Sequence, residues 1–389
     1  MSTTVRTTCP YCGVGCGVVA RGRADGTLEI AGDPSHPANS GTLCSKGSAL
    51  AETLGSGGRL LHPLVRRAGR GGGREVGWDE ALTRVARGFE AAIREHGPDS
   101  VAFYVSGQLL TEDYYVANKL MKGFIGSANI DTNSRLCMAS AAAGHRRAFG
   151  EDLVPGAYDD LELADLIVLA GSNTAWCHPV LFRRIEREKQ RRHGLKLVVI
   201  DPRRTATAEM ADLHLPIRPG TDVTLFNGLL CYLQQQGAAD DRFVEMHTAG
   251  AEDALAAARA AADPASVAAI CGADAERIEA LYRLFRASER VVTLFSQGVN
   301  QSSAGTDKVN AIINCHLLTG RIGRPGMGPF SLTGQPNAMG GREVGGFAST
   351  LAAHLDIELA EHREAVRTFW RSPSIAPRPG LESATNGTP

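Results

Sequence analysis

Residues 165–173 read Asp-Leu-Ile-Val-Leu-Ala-Gly-Ser-Asn, an apolar run closed by a glycine and two small polar residues. The run has the length of a buried strand, and its Gly-Ser-Asn end is typical of a turn. A proline-opened amphipathic helix is predicted over 179–192, and a second buried strand over 196–201. A buried strand, a helix and another buried strand in this order predict a parallel sheet with helices on both faces.

The strand-then-helix pattern continues along the chain. Apolar runs over 213–217 and 290–295 are predicted strands, and residues 223–235 are a predicted helix. The fold class predicted from this pattern is α/β with a doubly wound parallel sheet, and the Rossmann-like domain spans 151–330. Ligands of such sheets bind at the carboxyl ends of the strands.

Polar side chains follow several of these strands. Ser172 and Asn173 in the Gly-Ser-Asn turn suit a phosphate, Asp201 suits a pair of ribose hydroxyls, and Asp222 suits the donors of a guanine edge. Each residue taken alone is also explained as a helix cap or turn residue. Their placement at successive strand ends favours a nucleotide. No G-x-G-x-x-G motif follows a predicted strand, which argues against a conventional nicotinamide or flavin site.

The N-terminal head holds four of the nine cysteines, in the pattern Cys9-Pro-Tyr-Cys12-Gly-Val-Gly-Cys16 with Cys44 farther on. Three clustered thiolates and one remote thiolate can enclose a [4Fe–4S] cluster, and the glycines permit sharp turns around it. A structural zinc site is the main alternative, although zinc sites usually pair two Cys-x-x-Cys knuckles. Unpaired structural cysteines are the third interpretation. The pattern favours the cluster.

For two further residues, side-chain chemistry alone does not decide between a functional and a structural role. Lys46, two positions after Cys44, could bridge a cluster to a second redox group, or could be an ordinary surface lysine. Cys137 has no neighbouring cysteine in sequence; it could be a buried apolar residue, a nucleophile paired with a histidine, or a soft ligand for a transition metal.

Composition bounds the other possibilities. The 389 residues indicate more than one domain. A formal net charge of -1 gives no reason to expect nucleic acid or an anionic membrane as a partner. No apolar run approaches the length needed to cross a bilayer, and the first residues carry no export signal, so we expect a cytoplasmic location without a membrane partner.

Taken together, these motifs resemble the molybdenum oxidoreductases that carry a bis(molybdopterin guanine dinucleotide) cofactor and an N-terminal [4Fe–4S] cluster. The resemblance also rests on Cys-Ser-Lys-Gly at 44–47, Ser-Arg-Leu-Cys-Met at 134–138, Ile-Asp-Pro-Arg-Arg-Thr at 200–205 and Leu-Thr-Gly-Gln-Pro-Asn-Ala-Met-Gly-Gly-Arg at 332–342. Within the family the chain is most similar to the bacterial assimilatory nitrate reductases. This implies reduction of nitrate to nitrite by oxygen-atom transfer, with electrons arriving through the cluster.

The resemblance implies a role for each matching residue. Cys137 is expected to ligate molybdenum, and Lys46 to lie between the cluster and a pterin. The loop with Gln335 and Arg342 is expected to line the pterin and the substrate funnel, where the Arg342 charge would steer the anion. The guanine-nucleotide arm and pterin are expected to contact Ser172, Asn173, Asp201, Arg203, Asp222, Gly298 and Asn300.

Met138 helps choose the reaction. Formate dehydrogenases of this family typically carry a histidine directly after the metal-binding residue, and nitrate reductases typically carry methionine. Met138 therefore favours nitrate over a formate dehydrogenase-like activity. The resemblance also implies an electron-donor protein: a ferredoxin, a flavodoxin or an NADH-dependent flavoprotein.

The expected organisation has three parts besides the Rossmann-like domain over 151–330, and one missing piece. Residues 1–55 form the iron–sulfur domain; residues 56–150 and 331–380 form an α/β domain with the metal-ligand and funnel loops; residues 381–389 are a disordered tail. Family members run further and end in a domain that covers the cofactor, so we expect a truncated chain. An inactive, cluster-binding fragment is accordingly a further alternative.

Overall fold

The computed structural model describes residues 4–55, 57–66, 73–261 and 263–382. Most of the basic, glycine-rich stretch over 66–74 and residues 383–389 of the expected disordered tail lie outside these ranges. Within them, no single helix has the length and apolar character to cross a membrane, although the bent pair Ala251–Ala261 and Pro264–Cys271 would pass by length and composition alone.

The described strands, in chain order, are β1 Thr4–Thr8, β2 Gly17–Gly22, β3 Leu28–Gly32, β4 Leu64–Arg66, β5 Gly73–Glu75, β6 Phe103–Val105, β7 Ile130–Thr132, β8 Leu166–Ala170, β9 Lys196–Ile200, β10 Leu213–Leu215, β11 Val291–Phe295 and β12 Gly328–Ser331. The longer helices are Trp78–His96, Thr111–Asn118, Ser134–Phe149, Pro179–Arg191, Asp222–Gln235, Ala251–Ala258, Pro264–Cys271, Ala275–Ala287, Gly305–Leu318 and Ala360–Trp370. Shorter helices include Ser45–Ser48, Thr174–Cys177, Ala206–Glu209, Asp241–His247, Gln297–Asn300, Ala338–Glu343 and the π-helix Lys119–Ile125.

The central sheet has the strand order β10-β9-β8-β11-β12, and every neighbouring pair is parallel. The order reverses between β8 and β11, which places a ligand-binding crevice at their carboxyl ends. This confirms the predicted α/β class. The predicted strand over 290–295 and the predicted helix over 223–235 each agree with the structure to within one residue at either end.

Strand β8 shows why the sheet is buried on both faces. Its five residues are all buried, and they alternate between two apolar cores. Leu166 and Val168 pack on the face covered by Asp222–Gln235 and Gly305–Leu318. Ile167 and Leu169 pack on the opposite face, which Pro179–Arg191 covers together with the cysteine head. A continuous apolar run is therefore required, because each side chain meets a core whichever way it points.

The head is a small antiparallel sheet of β1, β2 and β3. Its first hairpin connects Cys9 to Cys16, and the Cys9 amide donates to the Cys16 carbonyl at 2.8 Å. Gly15 in the connecting turn has a φ of +65°, which glycine adopts without a steric penalty. The local sequence thus folds the first three cysteines into one compact turn.

The remaining layer brings distant segments together around β6 and β7, which pair in parallel. Lys122 is completely buried there, and its Nζ donates to the carbonyls of Gly345, Phe347 and Thr350 at 2.7, 2.7 and 2.5 Å. Buried ammonium groups need such acceptors, because water no longer solvates them. Residues 119–125 and 345–350 are consequently tied into one unit.

Two segments of this layer have structure that the sequence did not reveal. The expected funnel loop with Gln335 and Arg342 contains the helix Ala338–Glu343. The first two residues of the expected disordered tail, Leu381 and Glu382, are held in place: the Leu381 amide donates to Asn129 Oδ1 at 2.8 Å, and Glu382 pairs with Arg135 at 3.1 Å. Partners far away in the chain supply these contacts, so local composition gave no sign of them.

Candidate functional site

The four head cysteines line one cavity of about 200 Å³. Burial raises the pKa of Cys9 and Cys12, with the neighbouring thiols adding to the effect. For Cys16, burial and then repulsion from the other three thiols raise the pKa to about 12. Thiols in such surroundings become thiolates when a bound cation compensates their charge, so the cavity fits a metal group.

The donor set of this cavity fits a [4Fe–4S] cluster. Its four cysteine thiols are the ligands that such a cluster takes, one at each iron corner. A zinc ion would hold the same four sulfurs at about 2.3 Å from one point, so the donor set is compatible with both metal interpretations.

Lys46 lies on the rim of this cavity, exposed, on the short helix Ser45–Ser48. Its charge acts on Cys12, whose pKa it lowers slightly against the effect of burial. The same rim includes the exposed Trp176 and Cys177, from the short helix Thr174–Cys177 that follows β8. The cluster cavity thus adjoins the carboxyl edge of the central sheet, where the nucleotide was expected.

The crevice at the switch point is closed by two glycines. A Cβ on Gly171 would come within 2.7 Å of the Gly298 Cα, and the Gly298 amide donates to the Gly171 carbonyl at 3.0 Å. Only glycine permits this approach of two backbones. Gly298, predicted to line the pterin, is therefore required at least for the geometry of the crevice.

The other predicted nucleotide residues lie on the same edge. Ser172 is buried with its Oγ 2.9 Å from Thr174 Oγ1, and Asn173 accepts from Thr207 Oγ1 at 2.8 Å. Asp201 is buried and accepts from the amide of Arg203, whose side chain is exposed. These contacts orient the side chains, as the turn interpretation also expected.

Asp222 has a partner that the sequence did not reveal. Its Oδ2 is 2.7 Å from Lys308 Nζ, and both side chains are almost completely buried. The two side chains form a buried ion pair, so each charge has a partner where water is excluded.

Several polar atoms on this edge lack a partner within the described residues. They are Nδ2 and Oδ1 of Asn300, Oγ1 of Thr205, Oγ of Ser331 and Oε1 of Gln335, all buried. Buried polar atoms are normally hydrogen-bonded, and a polar ligand or ordered water would satisfy them. The edge therefore fits a pterin, a group rich in donors and acceptors.

Cys137 lies at a break in its helix. Met138, inside Ser134–Phe149, has φ -146° and ψ 18°, far from helical values. The break follows one turn of helix, and Cys137 is buried. Its Sγ accepts a hydrogen bond from Gln297 Nε2 at 3.2 Å. The thiol therefore faces the carboxyl end of β11 instead of an apolar core, which favours the ligand interpretation over a structural thiol.

Met138 and Arg342 meet next to this thiol. The Met138 sulfur accepts from Arg342 Nη1 at 3.1 Å and from the Thr333 hydroxyl. Arg342 is buried and forms a two-armed ion pair with Asp152. The predicted anion-steering charge is thus already balanced by a carboxylate, which the sequence did not indicate. The arginine is held in place, and its pull on a distant anion is reduced.

A polar cavity of about 410 Å³ opens beside the Cys137 helix. Three arginines line it, and each has an acidic partner: Arg135 pairs with Asp131, Arg146 with Asp356, and Arg342 with Asp152. Such a lining can hold a small anion by redirecting guanidinium hydrogens without a large net field.

The head and the Cys137 site meet directly. The Gly13 amide donates to the Gly334 carbonyl at 2.9 Å, and a Cβ on Gly13 would come within 1.8 Å of the Thr333 carbonyl oxygen. Gly334 in turn lies against the thiol, since a Cβ there would be 3.8 Å from Cys137 Sγ. One turn of chain therefore separates the expected cluster from the expected metal ligand.

Sequence reasoning missed Asp152, Gln297, Lys308 and Thr333. Gln297 and Thr333 lay inside motifs already quoted or beside them, so proximity to those motifs could have indicated them. Asp152 and Lys308 lie in stretches with no motif, and only the fold brings them to the site.

Comparison with known proteins agrees with this geometry. Residues 59–372 match the family model described as molybdopterin oxidoreductase, and residues 2–56 match the molybdopterin oxidoreductase Fe4S4 domain. Together the two models support a [4Fe–4S] cluster and a molybdopterin as the cofactors. The chain is 54% identical to a nitrate reductase of Klebsiella oxytoca and 51% identical to one of Shewanella frigidimarina. Each alignment covers 97% of this chain.

Two other relatives extend the comparison. A periplasmic nitrate reductase of Desulfovibrio desulfuricans is 43% identical over 97% of this chain and 52% of its own length. Acetylene hydratase from Pelobacter acetylenicus superposes on 81% of this chain and 43% of its own, with a TM-score of 0.72 and 25% identity. The chain spans 42% and 40% of the Klebsiella and Shewanella proteins.

Proposed function

The chain belongs to the molybdopterin oxidoreductase family, and from that premise we propose that it reduces nitrate to nitrite by oxygen-atom transfer. The observation that carries the proposal is the pair Cys137–Met138 at the helix break: a buried thiol faces the sheet edge, and a thioether occupies the next position. The nitrate reductase names of the relatives support the same substrate.

Each element of the chain has a part in this function. Cys9, Cys12, Cys16 and Cys44 hold the cluster, and Cys137 supplies the thiolate ligand. The carboxyl edge, with Ser172, Asn173, Asp201, Arg203, Asp222, Gly298 and Asn300, holds one guanine dinucleotide arm of a bis(molybdopterin guanine dinucleotide). When bound, the molybdenum supplies a centre that exchanges two electrons and accepts an oxygen atom, and the cluster supplies electrons singly.

The protein's own side chains prepare the substrate. Arginines of the polar cavity bind the anion, while Arg342 is fixed by Asp152 and Met138. The buried Oε1 of Gln335 is available to a polar ligand. The Met138 side chain carries no ionisable group, and protons for the released oxygen come from water.

We place this activity in the cytoplasm, with electrons from a ferredoxin, a flavodoxin or an NADH-dependent flavoprotein. Assimilatory and periplasmic nitrate reductases both occur among the relatives, so location has its own test. Fractionation of the native cells into periplasm and cytoplasm, followed by immunodetection of the chain, provides it.

Anaerobic production in a host that makes the cofactor tests the function. We expect iron and molybdenum in the purified protein, nitrate reduction with reduced viologen as donor, and no formate oxidation with the oxidised dye. Formate oxidation would favour the formate dehydrogenase-like alternative. Iron without molybdenum would leave a cluster-binding chain and overturn the proposed reaction.

A further inference from the structure

We propose that Gln297 tunes the metal site, because its carboxamide donates a hydrogen bond to the ligand sulfur of Cys137. The inference rests on the proposed function, since it concerns the thiolate that would bind molybdenum. In this proposal Gln297 acts through the sulfur and is a positioning residue.

The contact is built by the turn after β11. Gln297 begins the short helix Gln297–Asn300, half-buried, and its Nε2 lies 3.2 Å from Cys137 Sγ. The two residues are 160 positions apart in sequence. The tertiary fold therefore brings a donor to the one thiol that lies at the helix break.

One hydroxyl lies at the other end of the carboxamide. The Ser296 Oγ contacts Gln297 Oε1 and lies 3.0 Å from the Leu332 carbonyl, and Ser296 is itself buried. Its single hydrogen serves one of these two oxygens, so it is the thiolate that orients the amide, and the NH₂ group faces the sulfur. The reverse orientation would place an oxygen lone pair against a thiolate, which is repulsive.

The walls of the site hold this contact in place. A Cβ on Gly334 would be 3.0 Å from Gln297 Nε2 and 3.8 Å from Cys137 Sγ, so the backbone of Gly334 closes over both groups. Cys137 is itself buried. A hydrogen bond in such surroundings is weakly screened by water and acts at full strength.

The chemical consequence concerns electron density. A donor on a thiolate sulfur withdraws charge from the bond between sulfur and metal, which stabilises the reduced metal and raises its reduction potential. Removing the donor should lower the potential and slow delivery of electrons from the cluster. Losing a residue that positions a metal ligand typically costs about 10-fold to 100-fold in activity or metal affinity.

The test compares Gln297→Met with Gln301→Met in the cofactor-loaded protein. Methionine keeps the length of the side chain and removes the donor. Gln301 is exposed on the same turn, and its Nε2 lies 3.4 Å from the Leu136 carbonyl, away from the sulfur. Molybdenum content, the midpoint potential of the Mo(V) electron paramagnetic resonance signal, and the cluster signal are measured beside nitrate turnover.

We expect Gln297→Met to keep the cluster signal, lower the molybdenum potential and reduce turnover about 10-fold or more, while Gln301→Met behaves as the parent. Ser296→Ala should lower the potential in the same direction by less. An unchanged potential in Gln297→Met, or an equal shift in Gln301→Met, would overturn this inference alone. Absence of molybdenum from the parent protein would overturn the proposed function and the inference with it.

Discussion

The cysteine head and the Cys137 site are assembled in opposite ways. Three of the four head thiols lie within eight residues of one hairpin turn, and the fourth follows after one further stretch of chain. The Cys137 site draws Gln297, Thr333 and Arg342 from segments 160 to 204 positions away. A local motif can therefore be recognised in the sequence, whereas an assembled site depends on the whole sheet and its connections.

The two regions nevertheless share one contact surface. The turn 332–334 lies against the cluster loop on one side and against Cys137 on the other. Removing a contact between remote segments should disrupt the Cys137 site and leave the cysteine head folded. A change at the shared surface should disturb both.

Cys137→Ser gives the largest expected difference between the regions. Serine is a poor ligand for a soft metal, so we expect nitrate turnover to fall more than about 100-fold with loss of molybdenum. The cluster signal should remain. Cys177→Ser is the matched control, because Cys177 is an exposed thiol outside the proposed ligand set. Turnover and metal content of the two variants provide the measurement; full turnover in Cys137→Ser would contradict the assignment.

Lys122→Met removes the three hydrogen bonds that join residues 119–125 to residues 345–350. Three carbonyls, of Gly345, Phe347 and Thr350, lose their donor, and we expect the free energy of unfolding to fall by about 3 kcal/mol. Chemical denaturation measures this loss, and the cluster signal reports whether the head is intact. Lys119→Met is the control, since the Lys119 ammonium lies 5.9 Å from the centre of the Tyr115 ring and its loss should cost about 0.5 kcal/mol. Equal losses of unfolding free energy in the two variants would show that the hydrogen bonds from Lys122 to the three carbonyls do not stabilise the protein.

Gly13→Ala tests the shared surface. The new Cβ would overlap the Thr333 carbonyl, which is backbone and cannot swing away, so we expect a loss of about 2 kcal/mol and altered signals from both centres. Gly88→Ala is the control, and we expect it to stabilise the protein. Gly88 lies in the exposed helix Trp78–His96 with open space around it, so alanine should raise the free energy of unfolding by about 0.5 kcal/mol or more. A change confined to the cluster signal in Gly13→Ala would argue that the regions are independent.

Lowering the pH should reduce the free energy of unfolding because of His145, which is buried on the Cys137 helix. Burial lowers the pKa of this histidine on the Cys137 helix from 6.5 to about 4. Its contribution to stability is complete above pH 6.5 and is lost as the pH falls towards 4, because the unfolded chain then binds a proton that the folded chain does not. At pH 5.5 the loss is about 1.4 kcal/mol.

Denaturation at pH 7.5 and 5.5 measures this dependence. His145→Gln should lose less stability between these two values than the parent protein. His193→Gln, at an exposed histidine, should behave as the parent. The same pH dependence in all three proteins would contradict the assignment to His145.

Much of the fold could be predicted because its signals are local. The runs at 166–170 and 291–295 are buried on both faces, so continuous apolar sequence is all that such strands permit. The helix Ala338–Glu343 could not be predicted, since its glycines at 340 and 341 disfavour helix, and contacts with Tyr114 and Thr111 require them to be small.

By itself the sequence determined the parallel sheet, the cysteine cluster site and the identity of Cys137 as a residue of interest. The sheet follows from side-chain periodicity and the cysteine turn from short spacing, which chain connectivity enforces. Cys137 was singled out by the resemblance of its motif to a known family. Only the tertiary structure decided that Asp152 balances Arg342, that Lys308 pairs with Asp222 and that Gln297 donates to Cys137. Such contacts form because packing brings remote segments within hydrogen-bond distance, and no local rule of spacing encodes that distance.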